Sequence, residues 1–418
     1  MWLLMKFLFK PEPYPDETLE SYLLRLSQDN GFESYSVFSS VLWEMLMERD
    51  HEAAGAWPRS LSRVNVYHTR NSSGLRVRAL QLIEQMTDLP SMQLLSLSLM
   101  GSAARFGQHV AVHRAGVDIP RLFLRTAGVP VCPHCINESA YIRQYWHYHP
   151  YVACHRHRCA LLFQCPGCEA ELNYQLSESI IQCQCGYELT HEQPAEASDE
   201  LGALADLVAG EPAHSAGSNP LLVTQDQSMR FGALLWFRQR HHQPGMESDQ
   251  ISNNDFSGVV EYFGNWPQSL WQELEETRLT AEYGLTQAYH QTAFSRVFGS
   301  LLTACGQLPM RETSKNFILR EVQAYLVQLV REHPRSRQPN IGDILLSVAE
   351  AAALLSTNYS QVYRLCQEGM LKISKRLGLR QDLHPNLAAF RLRHVVEAKL
   401  SYMQSHQDAA MNTYLPKW

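Results

Sequence analysis

The sequence predicts a mainly α protein, with helical bundles and helix-turn-helix units around a tandem zinc-finger or zinc-ribbon segment that carries short β-hairpins. Apolar residues recur at helical spacing along most of the 418 residues, and strand signal is sparse outside one segment. That segment holds four close pairs, Cys132-x₂-Cys135, Cys154-x₂-His157, Cys165-x₂-Cys168 and Cys183-x-Cys185. Two such pairs a hairpin apart close a tetrahedron of thiolate and imidazole around Zn²⁺, and the segment does so twice. Four protein ligands leave no position for a reacting water, so two structural Zn²⁺ ions that supply folding energy are expected.

A chain this long divides into several domains, expected at 1–118 (helical, helix-turn-helix-like), 119–195 (tandem zinc segment), 196–333 (helical) and 334–418 (helix-turn-helix). The first opens with Pro11 to Glu17, where proline suits a first helical turn and acids complement the helix dipole. Leu19, Tyr22, Leu23 and Leu26 follow helical spacing, and Asn30-Gly31 supplies the stop. Further amphipathic helices are expected over 36–47 and 75–86.

In the zinc segment His155 competes with His157, and Cys159 replaces either if the hairpin shifts; Cys-x₂-His spacing favours His157. Outside the ligand set, Cys159, Cys305 and Cys366 read as small buried apolar residues. Tyr145, Trp146, His147, Tyr148, His149 and Tyr151 either form a base-stacking platform or fill the small core of a zinc hairpin. Beyond it, helices are expected over 200–208, 231–240, 256–263, 269–275, 293–305 and 316–332. Trp266-Pro267 and Trp271 read as core or interface anchors, and Pro334 to Pro339 is the clearest linker.

In the last domain Ser347-Val-Ala-Glu350 is a capping box, and its helix runs to Leu355. Ser356-Thr357 turns the chain, and Asn358 opens a second helix that ends at Gly369. Val348, Ala352, Leu355, Val362, Leu365 and Leu371 form the expected core. Tyr359, Gln361 and Arg364 face outward as on a recognition helix, with Lys372, Lys375 and Arg376 following where a wing meets phosphate.

Charge is distributed unevenly. Seven ligand thiolates and two divalent ions lower the formal charge of −6 to −9, so bulk binding of nucleic acid is disfavoured and any DNA or RNA contact is local. From Cys159 to Met229 there is no Lys or Arg among eleven Asp and Glu, which removes the second zinc site as a phosphate clamp. The first is flanked by Arg121, Arg125, Arg143, Arg156 and Arg158, a solvated basic face or a local contact surface, with Arg121 and Arg125 the candidates. From Arg331 to Lys399 the balance is +5. Seven of ten cysteines in close ligand pairs, no export signal and no run near the ~18 apolar residues of a membrane span describe a soluble cytoplasmic protein. There is no phosphate-cradling loop, HExxH or nucleophile elbow, so no catalytic residue is assigned.

The residues then resemble a known family. Pro13-Tyr-Pro-Asp-Glu17-Thr-Leu-Glu-Ser21, Arg25 and Asn30-Gly31 are followed by Pro120-Arg121, Leu124-Arg125-Thr126 and Val131-Cys132-Pro-His-Cys135. Trp146-His147, Cys154-His-Arg-His157, Leu161-Leu162 and Cys165-Pro-Gly-Cys168 complete a pattern similar to the TniQ family of transposition proteins. It covers 5–190 strongly, while Phe263-Gly-Asn-Trp-Pro267-Gln-Ser269 and Tyr414-Leu-Pro-Lys-Trp418 extend it weakly toward the short TniQ proteins of CRISPR-associated transposons. It begins so near Met5 that Met5 is a candidate start. The resemblance implies a homodimeric adaptor without chemistry of its own. Such an adaptor docks on the Cascade guide-RNA complex, at the end carrying the crRNA-processing subunit, and helps recruit the AAA+ regulator TnsC and the transposase. The alternative is a TnsD-like selector that reads an attachment site through its helix-turn-helix.

Overall fold

A computed structural model describes residues 6–69, 71–211, 219–224, 226–241, 251–309, 315–374 and 383–409. The chain divides into two compact units at Glu261/Tyr262, with residues 219–220 grouping with the second. Both are mainly helical, with small antiparallel β elements, in keeping with the periodicity of the sequence. Among the described residues no helix is long and apolar enough to cross a membrane.

The first unit begins with helix Leu19–Asp29, whose Thr18 hydroxyl accepts the Ser21 N–H and whose exit passes through Gly31 at φ +76°. Helices Tyr35–Met47 and Ser73–Thr87 stand where periodicity placed them. A three-stranded antiparallel sheet follows, Met100–Phe106, His109–Arg114 and Val117–Pro120, with Phe106 opposite His109 and Arg114 opposite Val117. The sequence reading placed strands only in the zinc hairpins. Met100-Gly-Ser-Ala-Ala-Arg105 is too poor in large β-formers to show the alternation that burial reveals. Its turns were nevertheless encoded: Ala115 and Gly116 both have positive φ, as a two-residue hairpin turn requires. Helix Gln227–His241 lies against this sheet, and the Asp118 N–H donates to Ser228 Oγ at 3.0 Å. The core gathers Phe123, Trp146, Tyr151 and Phe231, all essentially inaccessible. Phe256 meets Phe123 edge-on at 5.5 Å.

In the second unit the helix expected over 293–305 is two, Phe294–Phe298 and Leu301–Gly306. Gly299 breaks it at φ +58°, ψ −140°, a conformation only glycine adopts without strain. The segment expected at 256–263 is likewise divided, a 3₁₀ turn Asn253–Phe256 in the first unit and a helix Val259–Gly264, with Gly258 at φ +78° between them. Helix Phe317–Glu332, capped by Asn316, carries Phe317 edge-on to Trp266 at 5.5 Å. The helix-turn-helix forms as read. Ser347 and Glu350 complete a capping box on Val348–Leu355, Ser356 turns left-handed, and Asn358 caps Tyr359–Gln367. Its core uses Leu354 rather than Leu355, which is half-buried. Leu345–Leu346 pairs antiparallel with Phe390–Arg391, and helix Leu392–Ala409 follows. There Arg393 donates to Asp343 at 2.9 Å, both side chains buried.

Candidate metal centres

Each metal cluster is assembled from tight turns. Cys132 caps the short helix Pro133–Glu138, with proline at its first position, and Cys135 follows one turn in. The partner turn starts at Cys154, whose N–H bonds to the Cys159 carbonyl at 2.8 Å. Its carbonyl accepts the Arg158 N–H at 2.8 Å, and Arg158 sits at φ +51°. This brings His157 Nδ1 to 3.6 Å from Cys132 Sγ, 3.3 Å from Cys135 Sγ and 3.5 Å from Cys154 Sγ, with Cys135 and Cys154 3.6 Å apart. Bonds of ~2.3 Å to sulfur and ~2.0 Å to nitrogen at tetrahedral angles require edges of about 3.5–3.8 Å. The donors fit a zinc ion. His157 Nε2 lies 2.8 Å from Glu138 Oε1, so a carboxylate fixes the ring with Nδ1 toward the cluster, and Arg156 steadies that carboxylate at 3.0 Å. His155 is spoken for elsewhere, its Nδ1 2.9 Å from the Tyr151 hydroxyl.

The second cluster, Cys165, Cys168, Cys183 and Cys185, places all four donor atoms within 4.8 Å of one another, with Cys165–Cys185 at 3.6 Å and Cys168–Cys183 at 3.8 Å. Gly167 is required here, because a Cβ would lie 2.6 Å from the Tyr187 ring. Both clusters hold four packed donors, three thiols and an imidazole in the first and four thiols in the second, sets that suit a tetrahedral cation.

The other sequence-singled residues have diverse settings. The aromatic run is core: Tyr145, Trp146, His147, Tyr148 and Tyr151 are buried, which leaves no stacking platform. Burial lowers His147 to about 3 and His149 to about 4, so both are neutral at ordinary pH. Arg125 donates to the carbonyls of His149 and Tyr151 at 3.2 and 3.1 Å, and burial lowers it to about 10. Arg143 is buried beside Tyr141 and Trp146, and Arg158 pairs with Asp206 at 2.9 Å. Arg121 is exposed and lies over the Tyr67 ring at 5.3 Å. On the helix-turn-helix, Tyr359, Arg364 and Lys372 are exposed and Gln361 is half-buried; Arg364 pairs with Glu368 at 2.8 Å. Lys375 and Arg376 lie outside the described residues, as does Tyr414 to Trp418.

Sequence reasoning found the opening motif without finding its work. Glu17 is buried and receives Arg25 through two nitrogens, at 2.8 and 2.7 Å, and the Ser21 hydroxyl at 2.8 Å. Asp16 accepts the hydroxyls of Tyr141 and Tyr145 at 2.8 and 3.1 Å. The Thr18 N–H reaches the Ile142 carbonyl at 3.0 Å, and the Ile142 N–H returns to Ser21 Oγ at 2.9 Å. The motif fastens the first helix to the strand-like edge beside the first cluster. Only the spacing of polar residues around Asp16 and Glu17 hinted at it.

Residues 8–161 match the sequence model of the TniQ family, a span that begins just before this motif and closes just after the first cluster. No curated protein matches the chain.

Proposed function

We propose, from the premise that the chain carries a TniQ domain and is a transposition-associated protein, that it is a non-catalytic targeting adaptor. In this reading a homodimer docks on a Cascade guide-RNA complex near its crRNA-processing subunit. It then helps recruit the AAA+ regulator TnsC, and with it the transposase, to the target DNA. The observation that carries the proposal is the family match over 8–161, the segment that the opening motif and first metal cluster tie into one body. Two closed four-donor centres support a scaffold, since neither leaves a position for a reacting water. The burial of Arg143, the carbonyl contacts of the half-buried Arg125 and the pairing of Arg156 and Arg158 also favour protein contacts over a broad phosphate surface in this body.

The test is co-migration of the purified protein with its cognate guide-RNA complex on size exclusion, at moderate and then high salt, with light scattering for mass. Two copies per guide particle, retained at high salt, is the expected result. A second reading, the direct DNA-binding site selector, draws on the exposed Tyr359, Arg364 and Lys372 of the helix-turn-helix. Absence of co-migration, with salt-sensitive duplex binding lost in Arg364→Ala, would replace the adaptor by this selector.

A further inference from the structure

The two knuckles of the tandem share one backbone turn, and besides the second ligand they differ where the first buries a cysteine and the second exposes an alanine. In each, the first ligand's N–H bonds to the carbonyl five residues on: Cys154 to Cys159 at 2.8 Å, Cys165 to Ala170 at 2.9 Å. The N–H four residues on returns to the first carbonyl, Arg158 to Cys154 and Glu169 to Cys165, both at 2.8 Å. That fourth residue has positive φ, +51° in Arg158 and +60° in Glu169, and the second ligand stands three on, His157 or Cys168. Ala170 therefore occupies in the second knuckle the place of Cys159 in the first. The turn itself asks for no sulfur there.

Yet Cys159 is buried, and its Sγ lies 3.6 Å from Cys132 Sγ, the separation of two thiolates sharing a tetrahedral zinc. We propose that the first cluster is a five-donor centre in which Cys159 is a reserve ligand, taking the fourth position when His157 leaves it. Cys132, Cys135 and Cys154 remain bound in both states. The exchange is balanced: a bond from the metal to His157 Nδ1 breaks, one to Cys159 Sγ forms, and the thiol's proton passes to the departing imidazole. Glu138, already 2.8 Å from His157 Nε2, then faces an imidazolium, so the displaced ring stays paired. The knuckle's pinned backbone, with the Cys159 carbonyl bonded to Cys154, keeps the reserve sulfur beside the site without a fold change.

Zinc content of the full-length protein tests this directly. His157→Ala should keep two zinc ions per chain, as should Cys159→Ala, while the His157→Ala/Cys159→Ala double variant should fall to one, like Cys132→Ala. With Co²⁺ in place of zinc, His157→Ala should gain thiolate charge-transfer intensity over the unmodified protein. Loss of one zinc in His157→Ala alone, or two retained in the double variant, would overturn the proposal. Should His157→Ala not fold, the unmodified protein and Cys159→Ala are compared for release of the first zinc to a chelator. Faster release from Cys159→Ala is expected, and equal rates refute a reserve ligand.

Discussion

Glu20 gives the sharpest stability prediction. Its carboxylate is buried in the first helix, accepting Asn65 Nδ2 at 2.6 Å and Gln175 Nε2 at 3.3 Å. Burial outweighs these donors and raises its pKa from 4.5 to about 7. A raised acid favours the folded state while protonated in it. The stabilisation is whole below 4.5 and is lost as pH rises toward 7, where the unfolded chain has already ionised. Complete loss amounts to about 3 kcal/mol at about 1.4 kcal/mol per pH unit. Between about pH 5.5 and about pH 8, where zinc thiolates also persist, the change is about 2 kcal/mol. Glu20→Gln keeps the shape and an acceptor oxygen and removes the titration. Urea unfolding of both proteins across that window isolates the residue, because every other titrating group cancels in the difference. The stability difference, variant minus parent, should grow by about 2 kcal/mol toward high pH. A difference that stays constant within about 0.5 kcal/mol would refute the reasoning, and would mean that Asn65 and Gln175 hold the anion at its ordinary pKa.

Two other substitutions probe the rest of the frame. Cys165→Ser should halve the zinc content, from two ions to one, and expose the 165–189 segment to proteolysis while the first cluster keeps its metal; an undiminished zinc count would deny Cys165 its place as ligand. Arg393→Met removes the near cation from the buried Asp343, leaving Arg391 at 3.7 Å and the Asn340 N–H at 3.1 Å, and should cost about 3 kcal/mol in urea unfolding of the second unit; a loss under about 1 kcal/mol would show the pair to be dispensable.

What the sequence disclosed was what neighbouring residues decide. Helix Leu19–Asp29 and the Ser347–Glu350 capping box depend on residues within one turn, and ligand pairs such as Cys165 and Cys168 meet within one knuckle. His157 could be preferred over His155 by spacing, and the Tyr151 hydroxyl shows what holds His155 instead. What stayed hidden depends on distant partners. Arg125 read as part of a basic face because nothing local shows that carbonyls 24 and 26 residues on and the ring of Phe163 hold it, and Arg143 because Asp16, which lies beside it, stands far upstream. The sheet of Met100–Pro120 escaped because small residues fill its first strand, and the break at Gly299 because one glycine stood inside an otherwise helical pattern.

The seam between Asp16–Ser21 and Tyr141–Tyr145 also fixes an order of events in synthesis. The hydrogen bonds that Tyr141 donates to Asp16 and Ile142 donates to Ser21 join residues 125 and 121 positions apart. A chain that emerges amino-terminus first makes its opening helix long before the partners of that helix exist. Closing a loop of this length carries an entropic cost that the seam alone must meet, unless its far side is already rigid. Cys132 and Cys135 precede that far side in sequence, and Cys154 and His157 follow it. A metal ion held by these four donors would make that far side rigid, and the amino terminus would then dock on a preformed edge.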